Sequence, residues 1–405
     1  MKVAIIGIGR AGGNVLDRLL EYEKGQEADF IRHGLAVNTD STELRRLSTV
    51  PETEQLLLGE SVFEGMGTLH NPEAGRTYFR DSIDEILAET DKVSIGQIDA
   101  FLVIAGLGGG TGGGGAPVVA SALRDQSVRP VYGLGILPGN DEGERMRVNA
   151  GRTLHPFVDS TDSAFLYDND TAQPGDGEDP PSAQTSVLKL NNEITTRFGT
   201  LLSADEGDVQ TDPSRGTDVA VSDLIETLGG GNKPDAAKRT EPNDGGGITA
   251  LGYAAEPPVV DIARSSGVLG SVLPWRVSVS QATDRIATQI RDLVRTTVRE
   301  GMTPPCSLSS AERGLLIVAG PPDSLPRQGI QDARMWLESE LETETVRVGV
   351  ARRQNAEKIS TLLVASGVTE SERIDELRAI SSDIEYSDDV SDFPSLKGIT
   401  DREEG

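Results

Sequence analysis

The segment Gly106-Leu107-Gly108-Gly109-Gly110-Thr111-Gly112-Gly113-Gly114-Gly115-Ala116-Pro117 constrains this chain more than any other. Eight of the ten residues from Gly106 to Gly115 are glycine, and one is threonine. An apolar run at 100–105 leads in, and a helix-compatible apolar run at 118–123 leads out. A flexible linker would have polar flanks, so these flanks argue for a loop between a buried strand and a helix. Without Cβ atoms, successive backbone N–H groups can curl around an anion at a helix N-terminus. Pro117 is expected in the first helical turn, where its missing N–H costs nothing.

A second glycine cluster lies near the start. Residues 2–6 read as a short buried strand, Gly7-Ile8-Gly9-Arg10-Ala11-Gly12 follows, and 14–20 has helical spacing. This satisfies the dinucleotide pattern G-x-G-x-x-G, a weak signal alone. The acid that should close the second strand is Asp40, well beyond the usual spacing of about twenty residues. Asp29 has the spacing but precedes that strand. Next come a short helix at 41–47, a loop at 65–75 and a helix at 76–89 with Phe79, Ile83, Ile86 and Leu87 on one side. Strands at 99–105, 129–137 and 164–167 alternate with helices after 115 and at 141–158. Such alternation means a parallel sheet covered on both faces, an α/β, Rossmann-like arrangement. The strand C-terminal ends then share one rim, where a single ligand could touch every loop.

The second half reads differently. Residues 168–182 form a surface insertion, 184–203 a long central helix, 204–217 an acidic loop and 218–228 a short helix. Residues 229–247 are of low complexity. Strands at 248–255, 314–319, 345–350 and 359–366, with helices at 259–273, 281–300 and 328–341, predict a smaller α+β domain. The expected limits are 1–185 for the first domain, 186–206 for the central helix, 207–368 for the second domain and 369–405 for an acidic flexible tail. Within the tail, 393–399 is an apolar island, by chance or as a peptide for a protein partner.

Composition narrows the partners. The 405 residues carry 65 acids against 38 bases, a net charge of −27, and only 8 of the bases are Lys. That balance argues against binding nucleic acid or anionic lipid through a basic patch. It suits a protein kept soluble at very high salt, or an ordinary acidic cytosolic one. The single cysteine, Cys306, excludes an internal disulfide, and His33, His70 and His155 have no Cys at zinc spacing. No signal peptide or transmembrane run is expected, and the reading is cytoplasmic.

No G-x-x-x-x-G-K-[ST] occurs anywhere, so there is no P-loop, and kinase signatures are absent too. Phosphates would have to be met by backbone N–H groups, helix N-termini, Mg²⁺ and Arg10.

Residues Gly108-Gly109-Gly110-Thr111-Gly112-Gly113-Gly114 resemble the tubulin signature GGGTG[ST]G, with Gly113 at the Ser/Thr position. Gly7 to Asn14 looks like the first nucleotide loop of FtsZ, and Asn38-Thr39-Asp40 like its second. Over 1–368 the chain is similar to the tubulin/FtsZ superfamily, and within it to the CetZ group of haloarchaeal tubulin-like proteins. The resemblance implies binding of GTP and GDP with Mg²⁺, and head-to-tail assembly of the chain with itself. It implies that Gly9, Arg10, Ala11, Gly12, Gly13, Asn14, Gly108, Gly109, Gly110, Thr111, Gly112 and Gly113 surround the phosphates, with Asp40 of the second loop also in the GTP site. Glu142 would contact the ribose, Arg145 the base edge or ribose, and Asn169 and Asn191 the guanine edge. Val187, one helical turn before Asn191, would give apolar contact where FtsZ has an aromatic. Without the resemblance, Glu142 and Arg145 could equally be a surface pair.

In this superfamily the next subunit completes the active site with acids that position the attacking water. Here that loop runs from Asp218 to Ile225; Asp223 matches the second acid of FtsZ, but Ala220 replaces the first. Asp218 could substitute, or could be a helix N-cap. The expectation is a slow, assembly-dependent GTPase serving cell shape, with no metal-binding side chains assigned. A scaffold that binds GTP and hydrolyses little is the alternative. An NAD-dependent oxidoreductase is a third reading, but it leaves the longer glycine segment unexplained.

Overall fold

β1 (Val3–Ile8) is buried at every position, and its side chains alternate between two cores. Ala4, Ile6 and Ile8 join one apolar cluster, and Val3 and Ile5 the other. A strand that is apolar on both sides belongs in the middle of a sheet with helices on both faces. The computed structural model describes residues 1–59, 67–172, 183–206, 219–229, 247–259, 279–343 and 346–383.

After β1 come α1 (Gly9–Gln26), β2 (Ile31–Asn38), α2 (Ser41–Leu44), β3 (Gln55–Leu57), α3 (Pro72–Asp81), α4 (Ile83–Thr90), β4 (Ala100–Gly106), α5 (Gly110–Gln126), β5 (Val131–Leu137), α6 (Glu144–Asp159) and β6 (Ser163–Asp168). These six strands pair in parallel in the order β3-β2-β1-β4-β5-β6. The loops that follow β1, β2, β4, β5 and β6 therefore emerge along one edge, as the alternation predicts.

The second half adds α7 (Ala183–Leu202), α8 (Val221–Leu228), β7 (Gly247–Glu256), α9 (Val279–Arg299), β8 (Met302–Thr303), β9 (Arg313–Gly320), α10 (Arg327–Glu340), β10 (Val346–Arg352), β11 (Ile359–Val368) and α11 (Glu372–Asp383). It is mixed: β11 runs antiparallel to β7 and to β9, while β9 and β10 are parallel. β6 and β7 pair in parallel from Ser163↔Gly247 to Phe165↔Thr249. Both halves thus hang on one 11-stranded sheet, which no local sequence pattern announces. The long helix α7 is pinned across the junction. Buried Arg197 donates to the Leu251 carbonyl (2.8 Å) and the Gly301 carbonyl (2.6 Å) and lies over the Tyr167 ring.

Several local expectations are corrected. The glycine segment is mostly helix: α5 begins at Gly110, and Pro117 sits inside it rather than in the first turn. The reason is the neighbour α3. A Cβ on Gly114 would overlap the Pro72 carbonyl, and one on Gly115 would come within 2.6 Å of the Phe79 ring. These glycines let two helices touch through backbone, which outweighs their poor helix propensity. Likewise α1 begins at Gly9, not after the first glycine cluster. The helix expected at 76–89 starts at Pro72, where Asn71 accepts from the Glu73 and Ala74 N–H groups, and it breaks at Ser82. The helix expected at 141–158 starts only at Glu144, because Gly143 turns the chain with φ +93°.

The segment from 369 is not wholly a flexible tail. It contains α11, whose Ile374 and Leu377 are buried and which packs on α6. Gly151 of α6 admits it: a Cβ there would fall 2.6 Å from Ser381 Cβ. The helix expected at 259–273, the low-complexity stretch, most of the 168–182 and 204–217 segments, and the chain beyond 383 lie outside the described residues. Among the described residues, no helix is long and apolar enough to cross a membrane.

Two substitutions test the packing role of the glycines. Gly114→Ala should lower stability by about 2 kcal/mol, because an overpacked backbone contact outweighs the helix propensity gained. Gly25→Ala, at a position with open space around it, should raise stability by about 0.5–1 kcal/mol. Thermal melts of both variants in molar KCl read the opposite signs.

Candidate functional site

α1 and α5 begin side by side at the strand edge. A Cβ on Gly9, which has φ +69°, would lie 3.2 Å from the Gly112 nitrogen and 3.5 Å from Thr111 Cβ. Gly106 and Ala11 are as close, so the two chains meet with almost nothing between them. Neither helix has a side-chain cap, and neither carries an acid in its first turn. Two sets of first-turn N–H groups and two positive helix ends therefore converge without a side-chain partner. An anion is the ligand this arrangement suits.

Buried hydroxyls and amides hold these loops together. Thr111 Oγ1 lies 2.7 Å from Thr39 Oγ1 and 3.4 Å from Thr68 Oγ1, joining three rim segments. From α6 below, Asn149 Nδ2 donates to the Gly108 carbonyl (3.0 Å) and the His70 carbonyl (2.9 Å). One turn on, Thr153 donates to the Leu107 carbonyl at 2.8 Å. Leu69 and His70 beside them take left-handed backbone, with φ +50° and +62°. Such conformations persist only where surrounding contacts enforce them.

The residues anticipated from sequence fall into three groups. Gly9, Ala11, Gly12, Gly13, Gly108, Gly109, Gly110, Thr111, Gly112 and Gly113 all lie at this junction. Several of these glycines also have a packing duty: a Cβ on Gly12 would strike the Ile104 carbonyl, and one on Gly113 would lie 2.6 Å from the Leu107 carbonyl. Arg10 is exposed with Nε 3.6 Å from Glu43, and Asn14 is half-buried one turn later. Asp40 caps α2, accepting from Thr42 N (2.8 Å) and Glu43 N (3.2 Å).

The second group lies further along the rim. Glu142 Oε1 accepts from Gly139 N (2.9 Å) and from Asn169 Nδ2 (2.6 Å). Asn169 Oδ1 is buried and has no hydrogen-bond partner, which marks it as an acceptor for something else. Arg145 is exposed. Asn191 is buried on α7, Val187 one turn before it is 41% exposed, and the turn beginning at Asn169 packs against α7. Burial pushes the Asp168 carboxyl above the usual range, opposed by the guanidinium of Arg373 at 3.3 Å.

The third group lies elsewhere. Asp223 is in the first turn of α8, where it accepts from Ala220 N at 3.2 Å and pairs with Arg347 at 3.2 Å. The end of α8 meets the opposite edge of the sheet, since Tyr132 at the start of β5 donates to the Gly229 carbonyl at 3.1 Å. Asp218 lies outside the described residues. Sequence reasoning missed Thr68, Asn149, Thr153 and Arg373. Asn149 and Thr153, four apart on one helix face, left a faint trace.

The profile of the Tubulin/FtsZ family GTPase domain matches residues 2–173, the half that builds this junction. That half is a tubulin-type GTPase domain. The profile of the tubulin-like CetZ C-terminal domain matches residues 181–383, and the chain belongs to the tubulin-like CetZ proteins. Tubulin-like protein CetZ1 of Haloferax volcanii is 37% identical over 399 residues, covering 97% of this chain and 94% of that protein. A GDP-bound monomer of Haloferax volcanii CetZ1 superposes with TM-score 0.77 at 34% identity, covering 95% of this chain and 99% of the other. A GTPgS-bound protofilament of Haloferax volcanii CetZ2 gives TM-score 0.76 at 30% identity, with 95% and 98% covered.

The hydroxyl junction has a measurable weight. Thr111→Val should lower stability by about 1 kcal/mol, since it leaves Thr39 without its partner, and Thr111→Ser should restore most of that. Denaturant titration of the two variants reads the difference.

Proposed function

We propose that this chain binds GTP at the α1–α5 junction and assembles head to tail, and that a neighbouring subunit completes the hydrolytic site. The observation that carries the proposal is the separation of its parts. The uncapped helix ends lie at the C-terminal edge of the parallel strands, while α8 with Asp223 lies toward the N-terminal edge. The length of β5 alone, roughly 20 Å at about 3.3 Å per residue, stands between them. Within one molecule Asp223 cannot reach a phosphate at the junction. In a head-to-tail stack, opposite edges of successive subunits meet. That a relative, CetZ2 of Haloferax volcanii, forms a GTPgS-bound protofilament supports self-assembly.

In this reading the first-turn N–H groups of α1 and α5 hold the phosphates, with Gly9 to Asn14 and Gly108 to Gly113 around them. Arg10 and Asp40 lie at the rim beside them. Asn169 Oδ1 accepts a base N–H, Asn191 reads the same edge, Glu142 and Arg145 meet the ribose and base, and Val187 covers the base. Among the described residues no group of three or more His, Cys, Asp or Glu is placed to hold a metal. Mg²⁺, which keeps several waters and binds substrate phosphates, would rest on phosphate oxygens and water. It would neutralise phosphate charge, while Asp223 of the next subunit orients water. A cytoplasmic polymer serving cell shape, and a protein partner for the apolar island at 393–399, complete the proposal.

One observation favours a weaker enzyme. Asp223 is engaged by Arg347 and by the Ala220 N–H, and Ala220 brings no second acid. The second reading is thus a GTP-dependent scaffold with little turnover.

Turnover and pelleting in molar KCl decide between the two. GTP hydrolysis per subunit should rise with protein concentration, and Asp223→Asn should cut it by about a hundredfold while leaving GDP affinity unchanged. Turnover independent of concentration would contradict the shared site. Assembly with GTP but negligible hydrolysis in the parental protein would select the scaffold.

A further inference from the structure

The C-terminal helix α11 reaches the rim through one side chain. Arg373 is 6% exposed and bridges two separate rim turns. On the β5–α6 side, Nη2 donates to the Pro138 carbonyl (2.6 Å) and Nη1 to Asn140 Oδ1 (3.2 Å). On the β6 side, Nε lies 3.3 Å from Asp168 Oδ1 and Nη2 lies 3.3 Å from Asp170 Oδ2. Nη1 also donates to Glu376 Oε2 of its own helix at 2.6 Å. The two turns are joined directly as well, by Asn140 N donating to Asp170 Oδ1 at 2.9 Å. Asn169, whose Oδ1 is buried and unpartnered, stands between Asp168 and Asp170, and its Nδ2 donates to Glu142 on the other turn.

Three acids face this one guanidinium: Asp168, Asp170 and Glu376. Without it, the Asp168 and Asp170 carboxylates at the β6 end would lose the positive charge set between them and repel one another more strongly. Only a planar fork reaches both turns at once, and a lysine ammonium offers a single point of charge instead. Salt screens exposed pairs strongly but buried ones far less, so the clamp survives molar salt. Apolar packing of Leu377 and Ile374 on α6 holds the helix, while Arg373 acts on the turns.

We propose that Arg373 is a positioning residue for base recognition: by clamping the Pro138–Asn140 and Asp168–Asp170 turns, it holds Asn169 and Glu142 in register for the nucleotide. This rests on the reading of Asn169 and Glu142 as nucleotide contacts. It makes docking of α11 and binding of the base mutually supportive, because each favours the same placement of two turns.

The test measures GDP and IDP affinity of the full chain in molar KCl, below the concentration for assembly. IDP lacks the exocyclic amine that an Asn169 carbonyl oxygen can accept from. Arg373→Ala and Arg373→Lys should weaken GDP binding by roughly tenfold and bring the IDP/GDP affinity ratio several-fold closer to one. If Arg373→Ala does not fold, Arg373→Lys, which keeps the charge and loses the fork, carries the test. Leu377→Ala should lower the melting temperature while keeping the parental ratio. Asn169→Ala separates this proposal from the one beneath it. If Asn169→Ala changes the ratio and both Arg373 variants keep it, the positioning role is overturned alone. If Leu377→Ala shifts the ratio as far as Arg373→Lys, loosening of the helix is the cause and the role is likewise overturned. If Asn169→Ala changes nothing, the nucleotide reading falls and takes this inference with it.

Discussion

Everything in the first half depends on two helices starting in contact, with their positive ends unsatisfied. That contact requires backbone without side chains at Gly9 and Gly106, where a Cβ would meet the Gly112 nitrogen or the Ala11 side chain, while a Cβ on Gly112 would strike the Gly106 carbonyl of its own turn. The contact is energetically incomplete by itself, since first-turn N–H groups without caps need a partner. A fold that leaves them open, with no acid in either first turn, is organised for an anion. The surrounding hydroxyls and amides, Thr39, Thr68, Thr111, Asn149 and Thr153, join the loops to one another and to α6. They fix the loops around the junction relative to one another.

The glycine segment has two duties that look alike in a sequence. Near its start, missing side chains open the junction; further on, at Gly114 and Gly115, they let α3 lie against α5. The first duty concerns a ligand and the second concerns packing. Both exclude a Cβ, so a run of glycines cannot separate them. The same holds for Asp40, which caps α2, and for Asp223, which in the first turn of α8 accepts from the Ala220 N–H. A cap and a ligand contact both need an oxygen at the end of a short side chain.

The single sheet shapes how the halves relate. Because β6 and β7 pair, and Arg197 pins α7 to β7, the rim and the second half share a backbone frame. The Arg373 contacts close a second route from the C-terminal helix back to the rim. Base-side turns are thereby tied to chain more than two hundred residues away. Phosphate-side loops are instead tied through α6 and the neighbouring threonines.

Much of this architecture is legible in the sequence. The alternation of apolar runs and helical periods determined a parallel α/β sheet, because burial on both faces leaves a continuous apolar strand. Glycine clustering at two strand ends located the rim, and the signature around Thr111 identified the family. What sequence could not determine was where helices begin within glycine, since a glycine-rich helix and a glycine-rich loop share a composition. Nor could it show the joining of both halves into one sheet, the docking of α11, or the reach of Arg373. Those depend on contacts between residues far apart in the chain. An arginine in an acidic segment carries no local mark of burial; only tertiary structure brought three carboxylates and a carbonyl around it.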